Sequence, residues 1–323
     1  MSRVARIAKS PVVELPGRFL SVLDFDHAQL EECLELAASM KAARARRRPH
    51  AQPLDGLHVA LLFEKPSLRT RSTFEVASKE LGGDVLNLST EFAGGREPLE
   101  DVARNLERWV RVLVVRTFAQ ERALLLARAA PRLSVINALT DEQHPCQALA
   151  DAMRMVEEWG DCRGRRVAFV GDGNNVATSL AHATSMLGIT LHVASPEGFE
   201  LPDAVVAEAA SVALGGAQVT RFRDPREAVR DVDAIYTDVW ASMGEEHELP
   251  ARKQLFQPYQ VNAALMQCAR PGALFMHCLP AHRGEEVDAD VFESAASVVF
   301  DQAENRLHAQ KALLLTLLSP DGR

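Results

Sequence analysis

The chain has 323 residues and a mass of 35.4 kDa, a length that suggests about two domains, each large enough to bury its own core. Its 47% hydrophobic and 25% charged residues are typical of a globular protein and exclude a disordered chain or a fibre. The net charge of −8 argues against a nucleic-acid-binding protein, because neutralising phosphates requires an excess of Lys and Arg.

Short apolar segments alternate with amphipathic segments along almost the whole chain. The amphipathic segments predict helices over 27–44, 72–82, 99–111, 146–159, 176–187 and 304–318. The apolar segments predict strands over 57–63, 85–88, 112–115, 133–137, 167–170, 190–194, 217–222, 233–237 and 273–277. This alternation predicts an α/β fold with doubly wound parallel sheets that carry helices on both faces.

The stretch EEWGDCRGRR interrupts the apolar pattern and indicates a domain boundary near residues 155–165. We therefore predict a first domain over residues 1–150 and a second over residues 151–303. The last predicted helix is strongly apolar on one side. We expect it to return to the first domain, so that residues 304–323 complete that domain.

The five cysteines are odd in number and scattered, and they contain no Cys-x-x-Cys pair, which argues against a disulfide framework and a zinc ribbon. No apolar run approaches the roughly 18 residues that span a bilayer. The first residues carry Pro and charge where a signal peptide needs its apolar stretch. The basic run 41–48 fits a solvated helix end better than a nucleic-acid patch. We therefore expect a cytoplasmic protein that binds neither membranes nor nucleic acid.

The first motif with chemical content is FEKPSLRTRSTFE, residues 63–75, where a predicted strand leads into a predicted helix. Ser67, Arg69 and Thr70 lie there beside the backbone N–H groups and the positive end of the helix dipole. That combination suits phosphate or a similar anion. The alternative is an ordinary N-cap role for Ser67 with arginines on the surface.

The second motif, HPCQALAD at 144–151, places His144 and Gln147 three residues apart at a helix start, so that both side chains can reach one point. A neutral imidazole and an amide can donate hydrogen bonds to a carbonyl oxygen and activate it. The alternative is a structural histidine before a proline. We interpret Cys146 as a packing residue.

The third motif, VAFVGDGNNVATS at 167–179, is a strand, a turn with two glycines and a helix. A dinucleotide site is disfavoured because Val176 holds the third glycine position and the acidic residue expected after the next strand is displaced. Asn174 and Asn175 follow the strand where open α/β sheets bind ligands. This position favours a polar contact with a small molecule.

Two further motifs end predicted strands in the second half of the chain. TDVWASMGEE, residues 237–246, places Asp238 where it can pair with a ligand cation or cap a helix. MHCLPAHRGEEV, residues 276–287, places a thiol and backbone carbonyls at the same sheet edge, with an X-Pro bond that permits an unusual turn. Its His and Cys residues lack the second ligand pair of a zinc motif, so we expect no metal.

In this order, the motifs resemble those of the aspartate/ornithine carbamoyltransferase family over about residues 30–318. The matching residues are Ser67-Leu68-Arg69-Thr70-Arg71, His144-Pro145-Cys146-Gln147, Asp238 with Ser242-Met243-Gly244, and His277-Cys278-Leu279-Pro280. The last two resemble the ornithine branch. The resemblance implies two α/β domains linked by interdomain helices, no cofactor, and a homotrimer or a multiple of trimers with sites at subunit interfaces. It also implies transfer of a carbamoyl group from carbamoyl phosphate to the side-chain amine of L-ornithine, giving L-citrulline.

The resemblance further implies a role for each matched residue. Carbamoyl phosphate would be bound by Ser67, Leu68, Arg69, Thr70, Arg116, His144, Gln147, Cys278, Leu279 and Arg306. L-Ornithine would be bound by Asn175, Asp238, Ser242 and Met243, and the catalytic residues would be Arg116, His144 and Cys278. Cations would neutralise the charge on the departing phosphate, and hydrogen-bond donors would stabilise the oxyanion. No covalent intermediate is needed, so we interpret Cys278 as a positioning group.

Two positions depart from the family pattern. Leu68 replaces a Thr, which is tolerable where that position acts through its backbone. Phe92 stands where family members carry a Gln that reaches a neighbour's phosphate, and a phenyl ring cannot donate that hydrogen bond. Arg96 is our candidate for a substitute donor.

Three other functions are weighed against this one. A carbamoyltransferase for putrescine or N-acetylornithine is disfavoured by residues 242–244, which resemble a loop that closes over free ornithine. A nucleotide-dependent oxidoreductase is disfavoured by the motif faults in residues 167–194. A non-catalytic binding homologue is expected to have lost Arg69, Arg116 or His144, and all three are present.

Overall fold

A computed structural model describes residues 17–48, 51–89, 97–241 and 249–318, and these residues contain two separate parallel sheets. The first sheet has the order β2-β1-β3-β4 and consists of β1 (His58–Phe63), β2 (Asp84–Leu88), β3 (Val112–Arg116) and β4 (Ser134–Leu139). The second has the order β7-β6-β5-β8-β9 and consists of β5 (Arg166–Val170), β6 (Thr190–Ala194), β7 (Val219–Phe222), β8 (Ala234–Thr237) and β9 (Leu274–His277). Every strand pair is parallel, which confirms the predicted fold class.

Helices connect the strands and cover both sheets. They are α1 (His27–Ala45), α2 (Arg69–Glu80), α3 (Leu99–Trp109), α4 (Gln120–Ala129), α5 (Pro145–Trp159), α6 (Asn175–Met186), α7 (Asp203–Ser211), α8 (Pro225–Ala228), α9 (Leu249–Phe256), α10 (Ala263–Met266), α11 (Ala289–Phe292) and α12 (Val299–Leu318). Among the described residues, none of these helices has the length and apolar character needed to cross a membrane.

The strands form where the sequence is continuously apolar. All five residues of β3 are buried, because helices cover both faces of the parallel sheet and leave no side for water. Each predicted strand is present, with ends shifted by at most two residues. The last helix, predicted from residue 304, begins at Val299, since buried polar side chains such as Gln302 and Asn305 hide its apolar pattern.

Helix α12 packs against α5, α1 and α2, which flank the first sheet. Its Leu313, Leu314 and Leu317 share one core with Phe19 and Phe74. The chain therefore enters the second sheet after α5 and returns along α12, so these two helices lie side by side between the sheets.

The basic end of α1 is partly used inside the protein. Lys41 Nζ lies 2.8 Å from Glu157 Oε1 at the end of α5, and Arg44 Nε lies 2.9 Å from Glu80 Oε1 at the end of α2. These ion pairs join α1 to neighbouring helices. They account for two of the basic side chains without a nucleic-acid ligand.

Strand register brings the motifs of each sheet to one edge. Phe63 is paired with Arg116 across β1 and β3, and Thr237 is paired with both Val170 and His277 across β5, β8 and β9. The segments that follow these strands therefore emerge side by side. In both sheets this happens where the strand order reverses, the place where open α/β sheets bind ligands.

Gly173 in the turn after β5 permits a close approach of two backbone segments. A Cβ at this position would lie 2.4 Å from the nitrogen of Leu201 and 2.6 Å from the carbonyl carbon of Glu200. The N-terminus of α6 is capped by the Asn174 side chain, which accepts hydrogen bonds from the backbone N–H groups of Val176 and Ala177. The glycine and the capped helix argue against the dinucleotide alternative.

We expect Gly173→Ala to lower the free energy of unfolding by about 3 kcal/mol, because the backbone of residues 200–201 must move away from the added methyl group. Gly198 provides a matched control in the facing loop: it has a φ of +85° but open space around it. Gly198→Ala carries only the left-handed backbone cost of about 1 kcal/mol. Urea unfolding of both variants compares the two losses, and an equal loss would contradict the role of close approach.

Candidate functional site

The N-terminus of α2 is open. Its first helical residue is Arg69, and the preceding Leu68 makes no side-chain cap hydrogen bond. Ser67 therefore does not act as the N-cap, and that alternative from the sequence is wrong. Leu68 is 78% exposed, so its side chain points to solvent, as is expected where a position acts through its backbone. Uncapped backbone N–H groups at a helix start are suited to an anion.

Arg306 brings α12 to the same place. Its Nη2 donates a 2.6 Å hydrogen bond to Thr70 Oγ1 in α2, and its Nη1 donates to Gln147 Oε1 in α5. Thr70, Gln147 and Arg306 are all at most 2% exposed. One guanidinium thus joins three helices, and the predicted anion motif at 63–75 meets the predicted carbonyl-activating motif at 144–151 there.

Two more arginines complete a cationic cluster. Arg116, the last residue of β3, is buried, and its pKa is lowered to about 10 by burial and by the charges of Arg306 and Arg69. Burial also lowers the pKa of Arg69, against the opposing influence of Cys278 and Asp238. Three neighbouring guanidinium groups repel one another, so an anion among them would remove an electrostatic penalty.

His144 lies beside this cluster as a neutral imidazole. Its pKa is lowered well below 6.5, first by burial and then by the charges of Arg306, Arg116 and Arg69. Its backbone N–H donates a 2.8 Å hydrogen bond to Ser179 Oγ of α6, which links the two sheets. Within the described part of the chain, His144 Nδ1 and Arg306 Nε are buried without a hydrogen-bond partner. Such atoms are available to a ligand.

The edge of the second sheet supplies a carboxylate. The Cys278 thiol donates a 2.8 Å hydrogen bond to Asp238 Oδ1, and Asn174 Nδ2 donates a 2.9 Å hydrogen bond to Asp238 Oδ2. Burial raises the pKa of Cys278 well above 9, and the charge of Asp238 and this hydrogen bond raise it further. The thiol is therefore a hydrogen-bond donor rather than a thiolate nucleophile.

Cys278→Ser is expected to lower activity by no more than about 10- to 100-fold, because a hydroxyl can make the same hydrogen bond to Asp238. Cys278→Ala removes the donor and should cost more. Steady-state kinetics of the pair measures the difference. Mass spectrometry after turnover should detect no covalent adduct on the thiol, and a stoichiometric adduct together with an inactive Ser variant would contradict the positioning role.

The remaining predicted site residues are placed as follows. Asn175 Nδ2 donates a 2.5 Å hydrogen bond to the carbonyl oxygen of Thr140, across the gap between the sheets. Leu279 has a left-handed φ of +61°, precedes a cis proline, and donates its backbone N–H to His277 Nδ1. Ser242, Met243, Phe92 and Arg96 lie outside the described residues.

Both ring nitrogens of His277 are engaged within the protein. Nδ1 accepts from the backbone of Leu279 at 2.8 Å, and Nε2 lies 3.3 Å from Glu286 Oε1. Asp238, His277 and Cys278 do come close enough to hold a metal ion. The hydrogen bonds nevertheless account for each of these side chains as part of a polar network, so their proximity alone does not require a metal.

Sequence reasoning missed a buried network behind these residues. Asp151 Oδ1 accepts hydrogen bonds from Gln147 Nε2 at 2.8 Å and Gln302 Nε2 at 2.6 Å, and its Oδ2 accepts one from the Tyr236 hydroxyl at 3.1 Å. The helical spacing of 147 and 151 was a signal for the first contact. The other two depend on how α12 and β8 meet α5.

Together these elements form a site of two halves. The first half is cationic and comprises Arg69, Arg116 and Arg306 with the donors Thr70, His144 and Gln147. The second is anionic and centres on Asp238, with Cys278 and Asn174 bonded to it. An anion in the first half and an amine in the second would be held beside one another, which is an arrangement for transfer between them.

Two family models match the chain. The carbamoyl-P binding domain of aspartate/ornithine carbamoyltransferase matches residues 18–157, and the Asp/Orn binding domain matches residues 163–317. The two matches cover the two sheets in turn.

Curated relatives and solved structures agree with these models. The chain is 46% identical to the ornithine carbamoyltransferase of Anoxybacillus flavithermus over 95% of this chain and 98% of that protein. It is 48% identical to that of Parafrankia sp. over 93% and 95% of the two chains. The solved ornithine carbamoyltransferase from Pyrococcus furiosus has a TM-score of 0.89 and 46% identity, over 93% of this chain and 96% of that one.

Proposed function

Because the chain belongs to the aspartate/ornithine carbamoyltransferase family, we propose that it transfers the carbamoyl group of carbamoyl phosphate to the side-chain amine of L-ornithine, giving L-citrulline and phosphate. The observation that carries this function is the buried arginine cluster facing the Asp238–Cys278 pair. We place the reaction in arginine metabolism. The expected cytoplasmic location stays a prediction.

In this reaction the amine attacks the carbonyl carbon, the bond from that carbon to the phosphate oxygen breaks, and the amine releases a proton. The phosphate lies at the N-terminus of α2, among Ser67, the Leu68 backbone, Arg69 and Thr70. Arg116 and Arg306 neutralise the charge that develops on the departing group. These roles are supported by the uncapped helix and by the pKa of Arg116, which burial and the charges of Arg306 and Arg69 lower.

The carbonyl oxygen of the substrate becomes negative during attack and needs hydrogen-bond donors. His144 and Gln147 lie at the start of α5 beside the arginines, and the neutral imidazole can donate one such bond. The carbonyls of Cys278 and Leu279 hold the carbamoyl nitrogen. No covalent enzyme intermediate is required, in keeping with a protonated thiol at Cys278.

Ornithine lies against the second half of the site. Asp238 pairs with its amino groups, and Asn175, Ser242 and Met243 complete the contacts. Asp238 is buried and already fixed by hydrogen bonds from Cys278 and Asn174, so its carboxylate is held ready for a cationic ligand. The amine must lose a proton before it attacks, and a water-poor cleft favours the neutral form.

We further propose a homotrimer or a multiple of trimers, with the first domain formed by residues 1–150 and 304–323 and the second by residues 151–303. Exposed apolar side chains before and on α2 and on the edge strand β2, among them Leu68, Val76 and Leu86, support an interface beside the site. Light scattering after gel filtration should give the mass of three chains of 35.4 kDa or a multiple of it.

The test of the function is citrulline formation from carbamoyl phosphate and L-ornithine, run beside putrescine, N-acetylornithine and aspartate. We expect turnover with ornithine alone. Turnover with another amine only would assign a different acceptor and shift attention to residues 242–244. No turnover with any of the four amines would favour a non-catalytic binding protein, and binding of carbamoyl phosphate would then be measured directly by calorimetry.

A further inference from the structure

Asp151 is a completely buried carboxylate outside the set of residues proposed to bind the two substrates. It lies on α5, one helical turn after Gln147, and accepts hydrogen bonds from three side chains on three different elements. Gln147 is on α5 itself, Gln302 is on α12, and Tyr236 is on β8. A carboxylate this well satisfied, in the gap between the sheets, connects both halves of the site.

Each of the two glutamines is oriented by Asp151. The Gln147 amide gives its nitrogen to Asp151 and its oxygen to Arg306 Nη1. The Gln302 amide gives its nitrogen to Asp151 and its oxygen to the backbone N–H of His277, at 3.0 Å. An ionised carboxylate only accepts hydrogen bonds, so it forces each amide to present its nitrogen inward and its oxygen outward.

The outward oxygens face the two halves of the site. Through Gln147, Asp151 fixes Arg306, which in turn bonds to Thr70 at 2.6 Å on the phosphate side. Through Gln302, it fixes the end of β9 directly before Cys278 on the amine side. Tyr236 ties the end of β8 to the same carboxylate, two residues before Asp238.

We propose that ionised Asp151 is a positioning residue that sets the amide orientation of Gln147 and Gln302 and thereby aligns the carbamoyl phosphate and ornithine halves of the site. The inference rests on the proposed carbamoyl transfer. When Asp151 is protonated, one oxygen becomes a donor and faces amide nitrogens that are donors too. At least one glutamine must then turn, and its contact to Arg306 or to β9 is lost.

The surroundings of Asp151 bring its protonation into a pH range in which activity can be measured. Burial raises the pKa of Asp151 to about 6, against the lowering effect of its three hydrogen bonds and of Arg306. The pKa values of three neighbouring titratable side chains are shifted away from this value. Burial raises the pKa of Tyr236 well above 10 and that of Cys278 well above 9, and it lowers that of His144 well below 6.5.

The experiment measures kcat/KM for carbamoyl phosphate from pH 5 to 8.5 in the original enzyme, Asp151→Asn and Tyr236→Phe. The original enzyme should lose activity as pH falls through about 6. Asp151→Asn should be lower by about 30-fold or more at pH 7.5 and lack that inflection, since an amide cannot accept on both sides. Ionisation of the substrate is common to all three profiles, so it does not affect their comparison.

Tyr236→Phe keeps the proposal testable if Asp151→Asn does not fold. Removing the hydroxyl takes a hydrogen bond from the ionised carboxylate, so the pKa of Asp151 should rise and the acid limb should move to higher pH. Glu157→Gln is the matched control: this α5 carboxylate also bonds to an α12 amide, Asn305 Nδ2, at 2.8 Å, but outside the site. Its pH profile should equal that of the original enzyme.

Thermal unfolding separates positioning from a structural role. The pKa of Asp151 in the folded protein lies above the ordinary value of 3.8, so this group stabilises the fold most at low pH and loses that contribution as pH rises through about 6. Asp151→Asn should therefore keep its Tm at pH 7.5 while losing activity.

Three results would overturn the proposal: an original enzyme without the acid limb, a Tyr236→Phe profile that does not shift, or an equal kinetic loss in Glu157→Gln. An original enzyme that makes no citrulline at any pH would contradict the proposed function instead. In that case, calorimetric binding of inorganic phosphate over the same pH range supplies the same comparison, because it also depends on Arg306 and Gln147.

Discussion

Arg306→Lys is expected to lower kcat/KM for carbamoyl phosphate by about 10²- to 10³-fold while the protein still folds. Lysine keeps the positive charge, but a single nitrogen would have to replace the two separate nitrogens with which the guanidinium bonds to Thr70 and Gln147. Its N–H groups all start from one nitrogen, so none of them reaches the position of Nε, which is buried without a partner among the described residues and available to the ligand. Citrulline formation with varied carbamoyl phosphate and saturating ornithine measures the loss.

Lys311→Met is the matched control for this prediction. Lys311 lies further along α12, is completely buried, and its Nζ forms a 2.6 Å ion pair with Glu80. Its loss should lower Tm, because a buried ion pair is broken. The kinetic constants should stay within about twofold of the original, as this pair lies outside the site. A fall of less than tenfold in Arg306→Lys would show that charge alone suffices at this position.

The fold was predictable because its strands are buried on both faces. A run such as Val112–Val115 is apolar without interruption, and parallel sheets covered by helices require such runs. The predicted strand ends differ from the observed ends by up to two residues, since polar residues such as Arg116 continue a strand beyond its apolar run. The pattern of hydrophobicity therefore predicts the buried core residues but not the polar residues of the site.

The position of the site followed from the same topology. The carboxyl ends of parallel strands share one edge, so Asp238 and Cys278 were expected together, and the thiol indeed donates to that carboxylate. Contacts between remote segments were not predictable. Gln302 and Asp151 are separated by 151 residues, and their hydrogen bond depends on how α12 crosses α5. Side chains that only form hydrogen bonds to other side chains leave no recognisable motif in a single sequence.

Asn174 and its neighbour Asn175 show that contacts of adjacent residues were also not predictable from the sequence. Its position after β5 indicated a ligand contact, but its amide is used twice within the protein: the oxygen caps α6 and the nitrogen donates to Asp238. The residue that crosses between the sheets is its neighbour Asn175, which bonds to Thr140. Spacing located the polar pair correctly, whereas the division of tasks between the two amides required the structure.

The second large effect is expected for Asp238→Asn, which should raise KM for ornithine by about 100-fold and leave KM for carbamoyl phosphate within about threefold. The carboxylate supplies the negative charge for a cationic substrate, and an amide cannot. The substitution also disturbs the local network, since the introduced amide would turn its nitrogen toward either the Cys278 thiol or the Asn174 amide, both of which donate to Asp238.

Asp233→Asn separates this loss from a general loss of a buried carboxylate. Asp233 precedes the opposite end of β8 and pairs with Arg165 at 3.0 Å and Arg270 at 2.9 Å, away from the site. Its substitution should lower Tm without changing either KM. Equal increases in both KM values for Asp238→Asn would mean that this carboxylate holds the cleft together rather than selecting the amine. A selective increase requires that the charge of Asp238 contacts ornithine itself, because the arginines that bind the phosphate lie on β3, α2 and α12 rather than on the second sheet.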